Sequence, residues 1–514
     1  MRTLNSLKNF STGIATTLIT TLLNFISRTI FISILGSSYL GINGLLTNLL
    51  SMLSLAELGI GSAINFSLYK PIAEKDNKKI AILMNLYKKA YRIIGLLVFI
   101  SGLIMMLFLD VLVKNPGNVE NLRLIFLIYV INTSSSYFIT YKVTLINADQ
   151  KEYKLAFTNI VFNIITQILQ IISLVVSKNY IIYLLMNMIV LFIQRVYINQ
   201  KVTKLYPLLN EKVKDKLPKN ELSVIVKNVK AMIVHKIGDY CINGTDNIIM
   251  SSFISVAIVG VYSNYAMIIS MINTFIMMFF NSVTASMGNL IATETNDKKL
   301  DVFKKLNFIG FWIYGFASIC LYNLLNPFIE LWIGKEFLIS QSILAVVILN
   351  YYLTGMRIPV NVVKTSAGLY NEDKFVPIMQ SIVNLVVSIM LVQKLGLVGV
   401  FIGTLISSLI LPCWHRPYII YKFVFKKSPK EYYKTYILYL TIIISSNLIV
   451  SKLINMLFNN INIVSFIYMI LICLVLPNII FIIIFYKSRE FKYIESIIKN
   501  ILGGILCKMK KRLV

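Results

Sequence analysis

Charged residues are scarce in this sequence, and acidic residues are scarcer than basic ones. Only 14% of the 514 residues are charged, whereas a soluble domain averages about 25%. Hydrophobic residues make up 57% of the chain, and the mean hydropathy is +0.75. This composition excludes an ordinary soluble protein and indicates a chain that crosses a membrane many times.

Three other features are missing. The first residues, 1–10, contain no cleavable signal with a small-residue cleavage site, so we expect the first helix to remain in the protein. No glycine-rich nucleotide-binding loop is present, which argues against direct ATP drive. The sequence predicts no cofactor. The five cysteines show no metal-binding or disulfide spacing; they are Cys241, Cys320, Cys413, Cys473 and Cys507.

The net charge of +28 comes from basic residues that gather in alternate loops. This placement follows the positive-inside rule, so it predicts membrane topology rather than binding to nucleic acid. The longest hydrophilic segment, 201–230, is rich in lysine and is expected in the cytoplasm. Both termini are expected there too.

A stretch near the N-terminus recurs in the second half of the chain. An offset of 219 residues aligns Gly41 with Gly260 and Arg28 with Asn247 without a gap. In each copy, two apolar helices lead into a charged loop; in the first copy a turn at 36–41 is predicted to separate them. Chance similarity explains scattered Ile and Leu matches but explains the ungapped turn and loop less well. We therefore expect a two-lobed transporter with its site between the lobes.

The hydrophobic spans predict an all-α polytopic membrane protein with about fourteen transmembrane helices. Six helices in each lobe would relate the lobes by a pseudo-two-fold axis normal to the membrane, with two further C-terminal helices. The predicted segments are an N-lobe, a basic inter-lobe loop, a C-lobe, an extra helix pair and a basic cytoplasmic tail. Their bounds are 1–205, 206–230, 231–425, 426–486 and 487–514.

Several basic residues lie inside apolar spans, where a charge usually faces a bundle interior or a wet cavity. Arg28, Arg357 and Lys364 are the main candidates. Fixed cations in such a cavity suit a phosphate or pyrophosphate, which arginine can bind through two hydrogen bonds. Lys236 and Lys142 are further candidates, although snorkelling to the interface explains them at least as well.

Polar residues recur at helical spacing in several spans, which places each set on one side of its helix. Isolated hydroxyls are better explained as contacts that hold helices together. Amide-bearing stripes in both lobes instead favour a hydrated central cavity. The cavity candidates are Asn24, Asn163, Gln167, Asn243 and Asn361.

Three acidic residues also lie in the predicted spans, namely Glu57, Asp239 and Asp246. They can couple transport to a proton or a sodium ion, or they can form ion pairs that hold the lobes. The sequence does not separate these two interpretations, and the coupling ion stays unassigned.

Three segments resemble bacterial polysaccharide flippases. They are Ala-Glu-Leu-Gly-Ile-Gly-Ser-Ala at 56–63 with Leu-Tyr-Lys-Pro-Ile-Ala at 68–73, Thr-Asp-Asn-Ile-Ile at 245–249 with Val-Gly-Val-Tyr-Ser-Asn-Tyr at 259–265, and Asn-Ala-Asp-Gln-Lys at 147–151. The resemblance is to the Wzx-like oligosaccharide flippase (polysaccharide transporter) family. This family belongs to the MOP exporter superfamily, with the multidrug and toxin extrusion (MATE) exporters and the lipid II flippase.

The resemblance covers essentially the whole chain. It implies a MATE-like fold and a non-enzymatic flippase in the cytoplasmic membrane. The substrate would be an undecaprenyl-pyrophosphate-linked oligosaccharide, moved from the inner to the outer leaflet by alternating access for capsule or exopolysaccharide synthesis. Implied partners are membrane lipid and the glycosyltransferases and polymerase of the same pathway. Arg28 lies on the first helix, where related flippases carry cavity arginines.

Other functions remain open at this point. One is an ion-coupled exporter of small cationic compounds, whose site would prefer acidic or aromatic residues. A lipid II flippase is another. A membrane glycosyltransferase, polymerase or ligase commonly needs a large extracytoplasmic loop, and the external links predicted here are short.

Overall fold

In the part of the chain that its computed structural model describes, all regular secondary structure is helical. That part comprises residues 2–113, 119–149, 151–210, 217–223, 225–226, 229, 244–369, 372–496 and 499. Within these ranges, twelve helices are long and apolar enough to cross a membrane. The predicted all-α polytopic membrane fold is confirmed, and the chain forms two compact units.

The first unit comprises Met1–Asn264 and Ile389–Val400. Helix α3 packs against α5, and α6 packs against both α1 and α7. Tyr91 and Tyr137 stack in the core between α3 and α5, with ring centroids 6.4 Å apart. The helices of this unit are α1 (Arg2–Leu53), α2 (Leu55–Glu74), α3 (Asn77–Met106), α4 (Leu109–Leu112), α5 (Leu122–Ala148), α6 (Tyr153–Ser177), α7 (Tyr180–Leu205) and α8 (Thr245–Phe253).

The predicted turn at 36–41 is much shorter in the structure. Only Gly36 leaves the helical conformation, with φ 79° and ψ −174°, and helix α1 continues beyond it to Leu53. A positive φ is readily adopted by glycine, so one residue is enough to kink the helix. The second predicted apolar helix is interrupted at Ser54, the residue before the start of α2.

The second unit comprises Tyr265–Ser388 and Phe401–Val514. Helix α10 is central, because α11, α15 and α16 all pack against it. Phe311 of α10 stacks on Tyr439 of α15 at 4.1 Å and contacts Phe481 of α16 at 5.1 Å, so the predicted C-terminal pair joins the aromatic core. The remaining helices of the chain are α9 (Val256–Thr293), α10 (Asn296–Ile333), α11 (Gln341–Ser366), α12 (Val376–Leu395), α13 (Leu397–Ile410), α14 (Pro412–Ile420), α15 (Lys430–Leu457) and α16 (Ile463–Phe485).

Two glycines allow α1 and the start of α9 to cross closely within the first unit. A Cβ added at Gly41 would collide with the carbonyl oxygen of Val256, and one added at Gly260 would collide with that of Ser37. Small residues let helix backbones approach in this way. Val256 follows Ser37 by the same 219 residues that separate the two glycines. Each glycine therefore contacts the residue that the repeat aligns with the other glycine's contact. This symmetry supports a true internal repeat.

The predicted segment bounds at 205, 230, 425 and 486 stay predictions. The two compact units divide the chain elsewhere, near Asn264, because the start of α9 packs on α1.

Candidate functional site

Arg28 lies on α1 and is held by two polar side chains from the start of α9. Its Nε donates to Asn264 Oδ1 at 2.7 Å, and its Nη2 donates to Ser263 Oγ. Both contacts belong to the first unit. No ion pair to Arg28 is found in the described part of the chain, so its charge is fixed in position but not neutralised there.

The two partners of Arg28 are themselves anchored next to the glycine crossing. Ser263 Oγ donates to the carbonyl oxygen of Gly260 at 2.6 Å, and Asn264 Nδ2 donates to the same oxygen at 3.3 Å. The crossing thus sets the position of the guanidinium. A positioned guanidinium with neutral partners can bind an anionic oxygen with little loss of side-chain entropy.

Asn24 and Gln167, two predicted cavity residues, contact each other. Gln167 Nε2 donates to Asn24 Oδ1 at 2.8 Å, which joins α6 to α1 one turn from Arg28. Gln167 Oε1 is buried without a hydrogen-bond partner. Asn163 lies one turn earlier on α6 and is exposed. Amide oxygens with unused hydrogen-bonding capacity in this region can accept hydrogen bonds from the hydroxyl groups of a polar ligand.

Lys142 binds neutral partners on a neighbouring helix. Its Nζ lies 2.6 Å from Asn199 Oδ1 and 2.7 Å from Thr203 Oγ1, both on α7. These bonds join α5 to α7 inside the first unit, and they fit a structural role as well as a binding role.

Arg195 of α7 is a similar residue that was not among the candidates predicted from the sequence. Its Nη1 donates to Ser135 at 2.6 Å and its Nη2 donates to Asn132 at 2.8 Å, both on α5. The sequence could have indicated Arg195, because it is an arginine between Gln194 and Val196 in an apolar helix. It could not have indicated the polar partners, which are 60 and 63 residues away.

In the second unit, Arg357, Asn361 and Lys364 share one face of α11, as their spacing predicts. Lys364 Nζ forms a buried ion pair with Asp373, which follows α11. Arg416 of α14 approaches the same carboxylate at 3.4 Å and also donates to Asn361 Oδ1 at 3.4 Å. The predicted cavity cation Lys364 is therefore already paired. Asp373 and Arg416 were not assigned from the sequence.

Arg357 is 93% buried, since only 7% of its surface is exposed. Its Nη2 donates to Thr354 Oγ1 at 2.8 Å, but its Nη1 has no hydrogen-bond partner. Arg416 is among its electrostatic neighbours. A buried guanidinium with an unused donor is costly, and it marks a place where an acceptor would be favoured.

The acidic candidates lie in different surroundings. Glu57, in the first turn of α2, accepts a long hydrogen bond of 3.4 Å from Tyr91. Asp246 lies in the first turn of α8, where the helix dipole favours a carboxylate. Lys236, Asp239 and Asn243 fall outside the described residues. In the described ranges, no group of three or more His, Cys, Asp or Glu residues can hold a metal ion.

The loop motif at 147–151 has a local structural role. Asp149 accepts a hydrogen bond from the Tyr206 hydroxyl at 2.6 Å and pairs with Lys151 at 2.5 Å. Burial, together with the bond to this carboxylate, raises the pKa of Tyr206 above its ordinary value. The motif thus ties the end of α5 to the segment after α7.

No known family model matches the chain, and no curated protein sequence matches it. Solved structures do match. A lipid II flippase, MurJ, in an inward closed conformation aligns over 93% of this chain and 99% of its own, with a TM-score of 0.65 and 16% identity.

Two multidrug transporter structures also match. An inward-facing multidrug resistance MATE family transporter of the MOP superfamily aligns over 77% of this chain and 94% of its own, with a TM-score of 0.58 and 16% identity. The MATE multidrug transporter DinF-BH aligns over 82% of this chain and 97% of its own, with a TM-score of 0.58 and 14% identity. The chain therefore has the multi-pass membrane fold that these flippase and exporter structures share.

Proposed function

We propose that the protein is a flippase for undecaprenyl-pyrophosphate-linked oligosaccharide repeat units. It moves them from the inner to the outer leaflet of the cytoplasmic membrane by alternating access, in capsule or exopolysaccharide synthesis. The diphosphate binds cationic residues, the polar helix faces accommodate sugars, and the polyprenyl tail stays in the bilayer. The pathway's glycosyltransferases and polymerase act before and after this step.

The observation that carries the proposal is the environment of Arg28. Its guanidinium is fixed by Asn264 and Ser263, and it has no ion pair in the described chain. A charge kept at membrane depth without a counter-charge suits an anionic ligand. The fold supports the proposal as well, because a lipid II flippase structure aligns over 93% of this chain.

The basic loops and the loop at 201–230 favour cytoplasmic N- and C-termini. Glu57 and Asp246 are candidates for coupling to a proton or sodium ion, or for ion pairs that hold the lobes. Transport needs no catalytic residue in this scheme.

The test is a deletion strain of the native host in which the leaflet position of the lipid-linked oligosaccharide is followed. We expect the intermediate to accumulate in the inner leaflet, surface polymer to be lost, and glycan assembly to continue. Unaltered polymer export would contradict the proposal.

A second candidate is ion-coupled export of small cationic compounds, because multidrug transporters share the fold. Fixed cations such as Arg28 would repel such substrates. Raised sensitivity of the deletion strain to cationic dyes, with normal polymer export, would favour this function.

Transport of lipid II is a third possibility, favoured by the alignment to 99% of a lipid II flippase structure. If it is correct, the chain should replace a lipid II flippase in a depletion strain. Growth failure in that strain, with export restored in the polysaccharide mutant, would exclude it.

A further inference from the structure

Three charged groups of the second unit meet inside the protein: Lys364 of α11, Asp373 after α11, and Arg416 of α14. The Asp373 side chain is fully buried, and the side chains of Lys364 and Arg416 are only 9% and 13% exposed. Both cations approach the same carboxylate oxygen, Oδ2. A single carboxylate thus faces two cations, and Arg357 adds a third positive charge on the same helix face.

The hydrogen bonds of this cluster are incomplete. Asp373 Oδ1, Arg416 Nε and Arg357 Nη1 are all buried without a hydrogen-bond partner. A buried pair of charges stabilises a protein only when good geometry and further hydrogen bonds offset the loss of hydration. The Asp373 carboxylate does not satisfy these donors although its own Oδ1 is free to accept, so the unused donors point to a ligand that places acceptor oxygens where the carboxylate does not.

Spacing within the cluster suits a ligand larger than a carboxylate. Arg357 and Lys364 are seven residues apart on α11, which corresponds to about 10 Å along a helix. Asn361 lies between them and already contacts Arg416 at 3.4 Å. The cationic groups therefore form a row along α11, with Asp373 at one end of it.

We propose that Arg357, Arg416 and Lys364 form an anion site for a phosphate or diphosphate group, and that Asp373 occupies it as an internal competitor. The inference rests on the proposed function, because the diphosphate of a lipid-linked oligosaccharide is the ligand that the site would take during transport. Phosphate oxygens displace the carboxylate from Lys364 and Arg416 and accept from the free donor of Arg357. Release of the ligand returns Asp373 to the two cations.

An internal competitor lowers the apparent affinity by the fraction of molecules whose site is open. Removal of the competing charge should therefore strengthen anion binding. If the open state is a minor one of about 10% or less, the Asp373→Asn variant should bind at least about tenfold more tightly than wild type.

The experiment uses the full chain in a neutral detergent, titrated with inorganic pyrophosphate while its thermal unfolding is followed. Sulfate at equal ionic strength controls for general salt effects. We expect Asp373→Asn to be stabilised at a pyrophosphate concentration at least about tenfold below that needed by wild type. Adding Arg416→Gln to this variant should remove the gain.

Asp301→Asn is the matched control, because it also removes one negative charge from the second unit. Asp301 pairs with Lys305 at 2.6 Å, and its side chain is 57% exposed. It should respond to pyrophosphate as wild type does. An equal gain in this variant, or no gain in Asp373→Asn, would overturn the proposal and leave the cluster with a purely structural role.

Arg357→Gln provides a second route if Asp373→Asn does not fold. It leaves the Lys364–Asp373–Arg416 contacts intact, and it should weaken the pyrophosphate response of the chain by at least about tenfold, as loss of a charge-assisted hydrogen bond implies. An unchanged response would contradict the site.

The deletion strain separates this site from the proposed function. Suppose that the strain exports glycan normally and that pyrophosphate binding depends on these residues. The anion-site proposal would then be supported, and the flippase proposal would be rejected. Inner-leaflet accumulation in the strain, with no effect of any variant on pyrophosphate binding, would reject the site and sustain the flippase.

Discussion

Arg28 in the first unit and Lys364 in the second have the same sequence signature: a cation within an apolar helix that also bears polar residues. Their environments differ. Arg28 is held by the neutral side chains of Asn264 and Ser263, whereas Lys364 pairs with the buried carboxylate of Asp373. The first charge has no counter-charge in the described part of the chain, and the second already has one.

The effect of a buried cation depends on its counter-charge. A neutral partner fixes the geometry and leaves the field of the cation in place. A buried carboxylate cancels much of that field. Removing one member of the pair leaves the charge of the other less well compensated inside the protein. Substitution of Arg28 should therefore act mainly on transport, whereas substitution of Lys364 should also lower stability, because it breaks a buried ion pair.

Lys364→Ala should have the largest effect, and it should act on stability. It leaves the buried Asp373 carboxylate with Arg416 as its nearby cation, so the cost should be at most the about 3–5 kcal/mol that breaking a buried ion pair typically takes. Thermal unfolding in detergent measures the loss. Lys298→Ala, which breaks an exposed pair with Glu294, should cost about 0.5 kcal/mol or less. Equal effects of the two substitutions would show that the buried pair of Lys364 stabilises the protein no more than an exposed pair does.

Arg28→Ala should impair transport and leave folding and membrane insertion intact. Loss of two charge-assisted hydrogen bonds to a phosphate, each worth about 1.5 kcal/mol or more, implies at least a ~100-fold decrease in polymer export. Surface polymer and the amount of inserted protein are the two readouts. Arg123→Ala is the control, since Arg123 is exposed and pairs with Asp110 at 2.6 Å.

A stably inserted Arg28→Ala, Arg357→Ala double variant extends this test to both units. Normal polymer export by that variant would exclude a role for these cations in binding substrate.

Gly41→Ala should weaken the crossing that presents Ser263 and Asn264 to Arg28. A methyl group at this place collides with the Val256 carbonyl, and overpacking of this kind costs about 1–3 kcal/mol. Both thermal stability and export should fall. Gly288→Ala is the matched control, because an added Cβ there meets no atom within 4 Å. A Gly41→Ala variant as stable as wild type would contradict the close crossing.

Lys142→Gln should have the smallest effect. The amide can replace one of the two hydrogen bonds to Asn199 and Thr203, so stability should change by about 1 kcal/mol or less. Export by this variant distinguishes the two interpretations of Lys142. Near-normal export indicates a structural or snorkelling lysine, whereas a loss as large as that of Arg28→Ala places it at the ligand.

Local patterns could be predicted from the sequence, because they depend on the helical repeat. The shared face of Arg357, Asn361 and Lys364 and the membrane helices follow from spacing and hydropathy. The partners could not be predicted. Arg28 contacts side chains 235 and 236 residues away, and Arg416 reaches Asp373 across a loop and two helices.

The backbone conformation of the predicted turn could not be predicted from the sequence either. A glycine, two serines and a tyrosine at 36–39 predict the start of an extended turn, yet the structure bends only at Gly36. The turn prediction failed because tertiary packing on α9 keeps the following residues helical. The internal repeat, in contrast, was visible, and the reciprocal contact of Gly41 and Gly260 supports it.

The most direct test of the central claim is transport in liposomes that contain the purified chain and an undecaprenyl-pyrophosphate-linked oligosaccharide. An enzyme or lectin outside the vesicles measures how much substrate each leaflet holds. We expect wild-type protein to move the substrate between leaflets, Arg28→Ala to do so at least about 100-fold more slowly, and Arg123→Ala to behave as wild type. Equal rates for Arg28→Ala and wild type would contradict the claim.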